Sequence, residues 1–448
     1  MDVDAHLFYD RFSLPARIGT HMKRREFLTK TALAGALGLS MPVSRIYAAQ
    51  AGYTGRLLVT LQVEGGWDVT SFCDPKVNQP GEPIITNWST NATIQSAGNI
   101  NYAPFADNAT FFNKYFQDML VINGVDMQTN SHTTGVLHSW SGRNSTGFPS
   151  LTAMFSALNA PDQPLSYINF GGFSQTSDLI RFSRLDDVNT LRQLLEPEIA
   201  GQDSTFRTAE DMARIRNFRN QRLARLLDDP SNLPRMQKNL EAYQFALSSK
   251  AALVDFKSFI PSNSEIFENE DRGPAGQSNL RRQIQMTIAA FEAGVASASD
   301  LIDYGYDTHA DHDSLHTALY THLTDSLDLF WTLAEEKGIA NRITLVIGSD
   351  FSRTPLYNAD NGKDHWPIGS VIVMEKAPIW GNRVIGLTDE VQNAYNINPA
   401  TLARDDATGT IIYPKHVHKA LRRYLGMEDT VVDAAFKFNN TEDFDFFG

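Results

Sequence analysis

Three features of the sequence predict an α/β fold, a mostly parallel sheet sandwiched by helices. Ile343-Thr344-Leu345-Val346-Ile347 is a continuous apolar run rich in β-branched residues, as in a strand buried on both faces, and it stops at Gly348-Ser349-Asp350. Arg56 to Val63 repeats the pattern near the start and stops at Glu64-Gly65-Gly66-Trp67-Asp68. Segments with helical spacing alternate with such runs, the order that places helices on both faces of a parallel sheet.

In chain order, the first recognisable segment is a leader. Lys23-Arg24-Arg25-Glu26-Phe27-Leu28 precedes a short apolar stretch from Thr31 to Pro42 and a small-residue exit at Ala49-Gln50-Ala51. Residues 22–51 therefore read as a twin-arginine signal peptide, and 1–21 as upstream read-through before Met22. The expected destination is the periplasm or the extracellular space, by way of the twin-arginine export machinery. Residues 52–448 then form the α/β domain. No stretch of that mature chain is long and apolar enough to span a bilayer.

After the strand at Arg56–Val63, residues 74–112 are rich in Asn, Pro, Thr and Gly and read as a long loop. Met119 to Gly124 is a second strand, and Ser150 to Leu158 a helix. A helical insertion is expected at about 200–275. In it, Thr208-Ala209-Glu210-Asp211 has the spacing of a capping box. Arg216, Arg219, Arg222 and Arg225 lie on its solvated surface, with Ile215, Phe218 and Leu226 turned to the core. Leu280 to Val295 is a further helix, Leu301 to Tyr306 a short strand, and Ser314 to Lys337 a long helix closed by Gly338. Ile368 to Met374 is a buried strand and Pro414 to Leu425 an amphipathic helix.

The composition excludes several functions. With 448 residues, 42% hydrophobic and 20% charged, the chain can bury a sizeable core. Its net charge of −13 disfavours nucleic acid, whose sequence-independent affinity needs Lys and Arg. A single cysteine, Cys73, rules out an intramolecular disulfide and a cysteine-rich zinc site.

Ligands bind outside the carboxyl ends of strands in open α/β sheets. Asp68, Asp350, the Asp307-Thr308-His309 segment and the Asp364-His365 pair are all expected there. Three carboxylates brought together repel, and a divalent cation relieves the repulsion. A mixed Asp/His set suits zinc, manganese, iron or magnesium. Singly, each residue has a plainer reading: Asp307 or Asp313 could cap the following helix, Asp350 could be a turn residue, and Arg353 could form a salt bridge rather than hold an anion.

Gly65-Gly66-Trp67-Asp68, Tyr306-Asp307-Thr308-His309, Ser349-Asp350-Phe351-Ser352-Arg353-Thr354 and Asp364-His365-Trp366, behind a twin-arginine leader, resemble the exported family known as domain of unknown function 1501. That family is similar to the alkaline phosphatase and sulfatase superfamily. The resemblance implies an alkaline phosphatase-like sheet domain and a divalent metal (zinc, manganese, magnesium or calcium) held by Asp68, Asp307, His309, Asp350 and His365. Two departures stand out. Phe351 replaces a usual second-metal His, and Asp307-x-His309 is shorter than the superfamily spacing, with His312 as an alternative ligand. The motif Ser141-Gly142-Arg143 places His132 at the nucleophile position, with Ser131, Thr133 and Thr134 beside it; Arg353 would steady the anion. The implied activity is hydrolysis of a small phosphate or sulfate ester, or of a phosphorylated or sulfated glycan. The alternative is a non-catalytic envelope protein that binds a glycan or a protein.

Overall fold

The computed structural model describes residues 52–195 and 208–448; the leader read at 22–51 and the segment before it lie outside the described residues. An eight-stranded sheet organises the chain. Its strands are β1 (Leu57–Val63), β2 (Met119–Asp126), β3 (Tyr167–Asn169), β4 (Phe182–Ser183), β5 (Ala298–Asp303), β6 (Ile343–Ser349), β7 (Ile368–Met374) and β8 (Arg383–Ile385), in the spatial order β8-β2-β7-β6-β1-β5-β3-β4. Every strand except β7 runs in the same direction.

Alternation along the central strands separates two cores. Val59, Leu61, Leu345 and Ile347 face one side, where they pack with Leu280 and Ile284 of α4 (Leu280–Glu292) and Leu323 and Leu327 of α5 (His312–Glu336). Leu58 and Val346 face the other, with Trp140 of α1 (His132–Ser141) and Val417 and Leu421 of α6 (Pro414–Tyr424). The mostly parallel, helix-covered sheet is the fold class that the sequence predicts.

Register aligns the strand ends. Val63 is level with both Ser349 and Asp303, and Asp126 with Ile368. β7 is antiparallel because the chain leaves β6 and returns without a crossover helix. It therefore enters the sheet at the same edge where β6 leaves, and His365, just before it, stays at that edge.

Some expectations shift. The strand expected at Leu301–Tyr306 is Ala298–Asp303, so Asp307 follows it on a loop rather than at its last position. Residues 74–112 are not all loop, since they include strands Gln95–Ala97 and Ile100–Tyr102 and the start of a helix at Asn108–Tyr115. The capping box of α2 (Ala209–Leu227) forms as expected between Thr208 and Asp211. Ile215 and Phe218, however, are 50% and 72% exposed. They miss the core because α2 packs on the neighbouring α3 (Pro234–Ser248), through the face that holds Leu223, instead of on the sheet.

Candidate metal centre

Four segments deliver the site. Asp350 directly follows β6 and is fully buried. Its Oδ1 accepts hydrogen bonds from the Gly65 N–H at 3.2 Å and the Ser349 hydroxyl at 2.8 Å; its Oδ2 lies 2.5 Å from Nδ1 of His132. His132 opens α1. Gly135, one turn on, lets that helix approach, because a Cβ there would lie 2.2 Å from the Asp350 carbonyl oxygen. Gly65 plays the same part on the other side: its φ is +113° and a Cβ would meet the Asp307 N–H at 2.4 Å.

Asp307, His309 and His365 complete the cluster. His365 Nδ1 lies 2.8 Å from the Asn130 carbonyl, which can only accept, so Nδ1 carries a proton and, in the neutral ring, Nε2 is the nitrogen with the lone pair. His309 Nδ1 is held by Asp364 at 2.8 Å in the same way. Nε2 of His365 and Nε2 of His309 are 3.1 Å apart, and each is 3.1 Å from Asp307 Oδ1. His132 Nε2 lies 3.4 Å from Asp307 Oδ2 and is buried without a hydrogen-bond partner. The ligand atoms of His132, Asp307 and His365 all lie within 4.8 Å of one another. Phe351 is buried behind them, its ring centroid 4.7 Å from that of His132 and 4.5 Å from that of His365.

Lone pairs converging on a carboxylate repel unless a proton or a cation lies between them. The donor set fits a divalent cation: imidazole nitrogens and one carboxylate, each imidazole backed by an acceptor on its other nitrogen. Ligand atoms around a tetrahedral ion at about 2.0–2.1 Å stand roughly 3.3 Å apart, close to the 3.1 Å among Asp307, His309 and His365 and the 3.4 Å from His132 to Asp307. The charges agree. Burial works against ionisation of Asp307, yet Arg353, hydrogen-bonded at 2.6 Å, holds its carboxyl down at about 2. The hydrogen bond that His132 donates to Asp350 raises the imidazole above its ordinary value.

The other predicted residues lie elsewhere. Asp68 makes no hydrogen bond or ion pair with this cluster. It is fully buried with Lys363 Nζ and His312 Nε2, each 2.9 Å from its Oδ2. Arg353 is also fully buried. Its guanidinium donates to the carbonyls of Gly65, Gly66 and Lys363 and to Asp307, so it braces the β1 turn and faces no solvent. Of the residues read as nucleophiles, only His132 contacts the cluster; the hydroxyls of Ser131 and Thr133 make no hydrogen bond to it.

Glu64 did not stand out in the sequence. It follows β1 directly, its backbone pinned between Asp303 and Tyr306. Its half-buried carboxylate makes no side-chain hydrogen bond. Burial raises its pKa, and the nearby charges of Asp350 and Asp307 raise it further. The only sequence signal was its place at a strand end, which Gly65 and Gly66 overshadowed.

A family model described as "Protein of unknown function (DUF1501)" matches residues 189–421. The chain belongs to the DUF1501 family. The matched part of this DUF1501 chain contains Asp307, His309, Asp350 and His365, but neither His132 nor Asp68. No curated protein sequence matches the chain. Among solved structures, it is similar to Ps i-CgsB in complex with k-i-k-neocarrahexaose (5% identity, 88% of this chain and 76% of that one, TM-score 0.40). It is also similar to the lipoteichoic acid synthase LtaP from Listeria monocytogenes (10% identity, 93% and 80%, TM-score 0.34) and to a TAB5 alkaline phosphatase mutant with Mg bound in the M3 site (10% identity, 75% and 95%, TM-score 0.32). No helix among the described residues is long and apolar enough to cross a membrane.

Proposed function

We propose that this DUF1501 chain is an exported, metal-dependent hydrolase of phosphate or sulfate esters, with one metal centre at His132, Asp307, His309 and His365. The observation that carries the reading is the buried, unpartnered Nε2 of His132, turned toward the carboxylate on which two further imidazole Nε2 atoms converge. A divalent cation bound there, zinc or manganese fitting the donors best, supplies Lewis-acid activation of an ester oxygen and of water. The ester class rests on the motif resemblance, and export on the basic, apolar and small-residue order of residues 22–51.

The chain's own residues do the rest. Asp350, Asp364 and the Asn130 carbonyl orient the three imidazoles. Phe351 keeps water from one side. Glu64, whose pKa burial and the charges of Asp350 and Asp307 raise, is the carboxyl of the site most inclined to hold a proton. With an imidazole of the cluster at the nucleophile position, the attacking group in this reading is water.

A panel of model phosphate and sulfate esters tests the proposal. Turnover that needs added metal and disappears in Asp307→Asn supports it. The second reading, a non-catalytic glycan- or protein-binding member, is favoured by Arg353, whose guanidinium is fully engaged within the protein. Metal-loaded protein inert toward the whole panel would decide for that reading.

A further inference from the structure

Asp68 has the wrong neighbours for a metal ligand, and the mismatch is informative. Lys363 is fully buried, an exceptional state for a lysine. Its backbone is fixed at both ends: the N–H donates to the Thr308 carbonyl at 3.0 Å, and the carbonyl accepts from Arg353 at 3.1 Å. Its ammonium lies 2.9 Å from Asp68 Oδ2 and 3.1 Å from the Thr70 hydroxyl. Asp68 Oδ1 takes the Thr70 N–H and hydroxyl at 3.0 and 2.6 Å.

Two imidazoles close the pocket. His312 Nε2 is 2.9 Å from Asp68 Oδ2, and its ring is stacked on that of His316 at 4.0 Å. Thr308 Oγ1 engages Nδ1 of both, at 2.7 and 3.2 Å. Nε2 of His316 is completely buried and has no partner. A carboxylate and a hydroxyl thus contact the ammonium, while His312 touches the same carboxylate oxygen and His316 stacks on His312. Oxygen and imidazole donors of this kind hold hard or borderline divalent cations.

We propose that this pocket is a second cation site whose occupant is the protein's own Lys363 ammonium. The ammonium takes the place of a cation beside Asp68, so the chain binds one metal rather than two. It also couples the two clusters, because the Lys363 carbonyl holds the same guanidinium that grips Asp307. Without the ammonium, the buried Asp68 carboxylate keeps only the Thr70 donors and the His312 imidazole, an undercompensated state that a cation from solution relieves.

The count of one rests on the metal centre proposed above; the nature of the Lys363 pocket does not. The test is metal content by plasma mass spectrometry of the full chain, loaded with zinc or with manganese. Wild type is compared with Lys363→Ala and with the Asp68→Asn/Lys363→Ala double variant. The expected result is one additional equivalent in Lys363→Ala, lost again in the double variant. A folded Lys363→Ala protein with the wild-type count overturns the proposal. If Lys363→Ala does not fold, it is refolded with zinc, with manganese or with methylammonium. Recovery of cooperative unfolding with either metal supports the proposal; recovery with methylammonium alone, or with nothing, overturns it. A metal-free wild type beside a Lys363→Ala protein with one equivalent removes the metal-centre reading and leaves this inference standing. One equivalent in both does the reverse.

Discussion

Asp350, the first residue after the central strand, holds Nδ1 of His132 at 2.5 Å and offers nothing to solvent. In the proposed metal centre it orients that imidazole. Asp350→Asn keeps an acceptor for the Gly65 N–H but weakens the grip on the imidazole. Loss of such a partner typically lowers metal affinity 10–100-fold. Calorimetric zinc titration of this variant should show a loss in that range with the melting temperature little changed. Unaltered affinity would mean that His132 is not a ligand.

Arg353 is a structural brace. Arg353→Met leaves the Gly65, Gly66 and Lys363 carbonyls and the Asp307 carboxylate without their donor. Each buried carbonyl left without its donor costs about 1–3 kcal/mol, and the ion pair to the 45% exposed Asp307 carboxylate adds less than about 1 kcal/mol. Urea denaturation should give a midpoint lowered accordingly, and an unchanged midpoint would place the guanidinium outside the folded network.

Acid should weaken the C-terminal helix through His416 and His418. Burial holds their imidazoles down at about 4 and about 3. An imidazole with a lowered folded pKa binds fewer protons folded than unfolded, so stability rises with pH. The contribution is complete above the unfolded value of about 6.5 and is lost as pH falls toward 4, on the order of a few kcal/mol for the pair. His418, whose Nε2 lies 2.8 Å from the Ser139 carbonyl, should carry much of it. The slope of melting temperature against pH over that window should flatten in His418→Gln, and a slope equal to wild type would contradict the assignment.

The sheet was legible because buried parallel strands read as unbroken apolar runs, and their abrupt ends mark the edge where chemistry gathers. That Asp307, His309 and His365 meet at that edge was legible for the same reason. The pairing of His132 with Asp350 was not, because the two lie more than two hundred residues apart in sequence; the motif resemblance places His132 at the nucleophile position. Lys363 was hidden because nothing local distinguishes a sealed ammonium from a solvated one. Ile215 and Phe218 misled because their spacing is that of a core-facing stripe, while the helix that carries them packs on a neighbouring helix and leaves both in solvent.

The most direct measurement is the metal content of the wild-type chain beside Asp307→Asn and His365→Ala, by plasma mass spectrometry. The predicted result is close to one equivalent per wild-type chain and a loss in both variants, each still folded by circular dichroism. A folded wild-type chain without metal, or variants that keep it, would contradict a metal centre at His132, Asp307, His309 and His365.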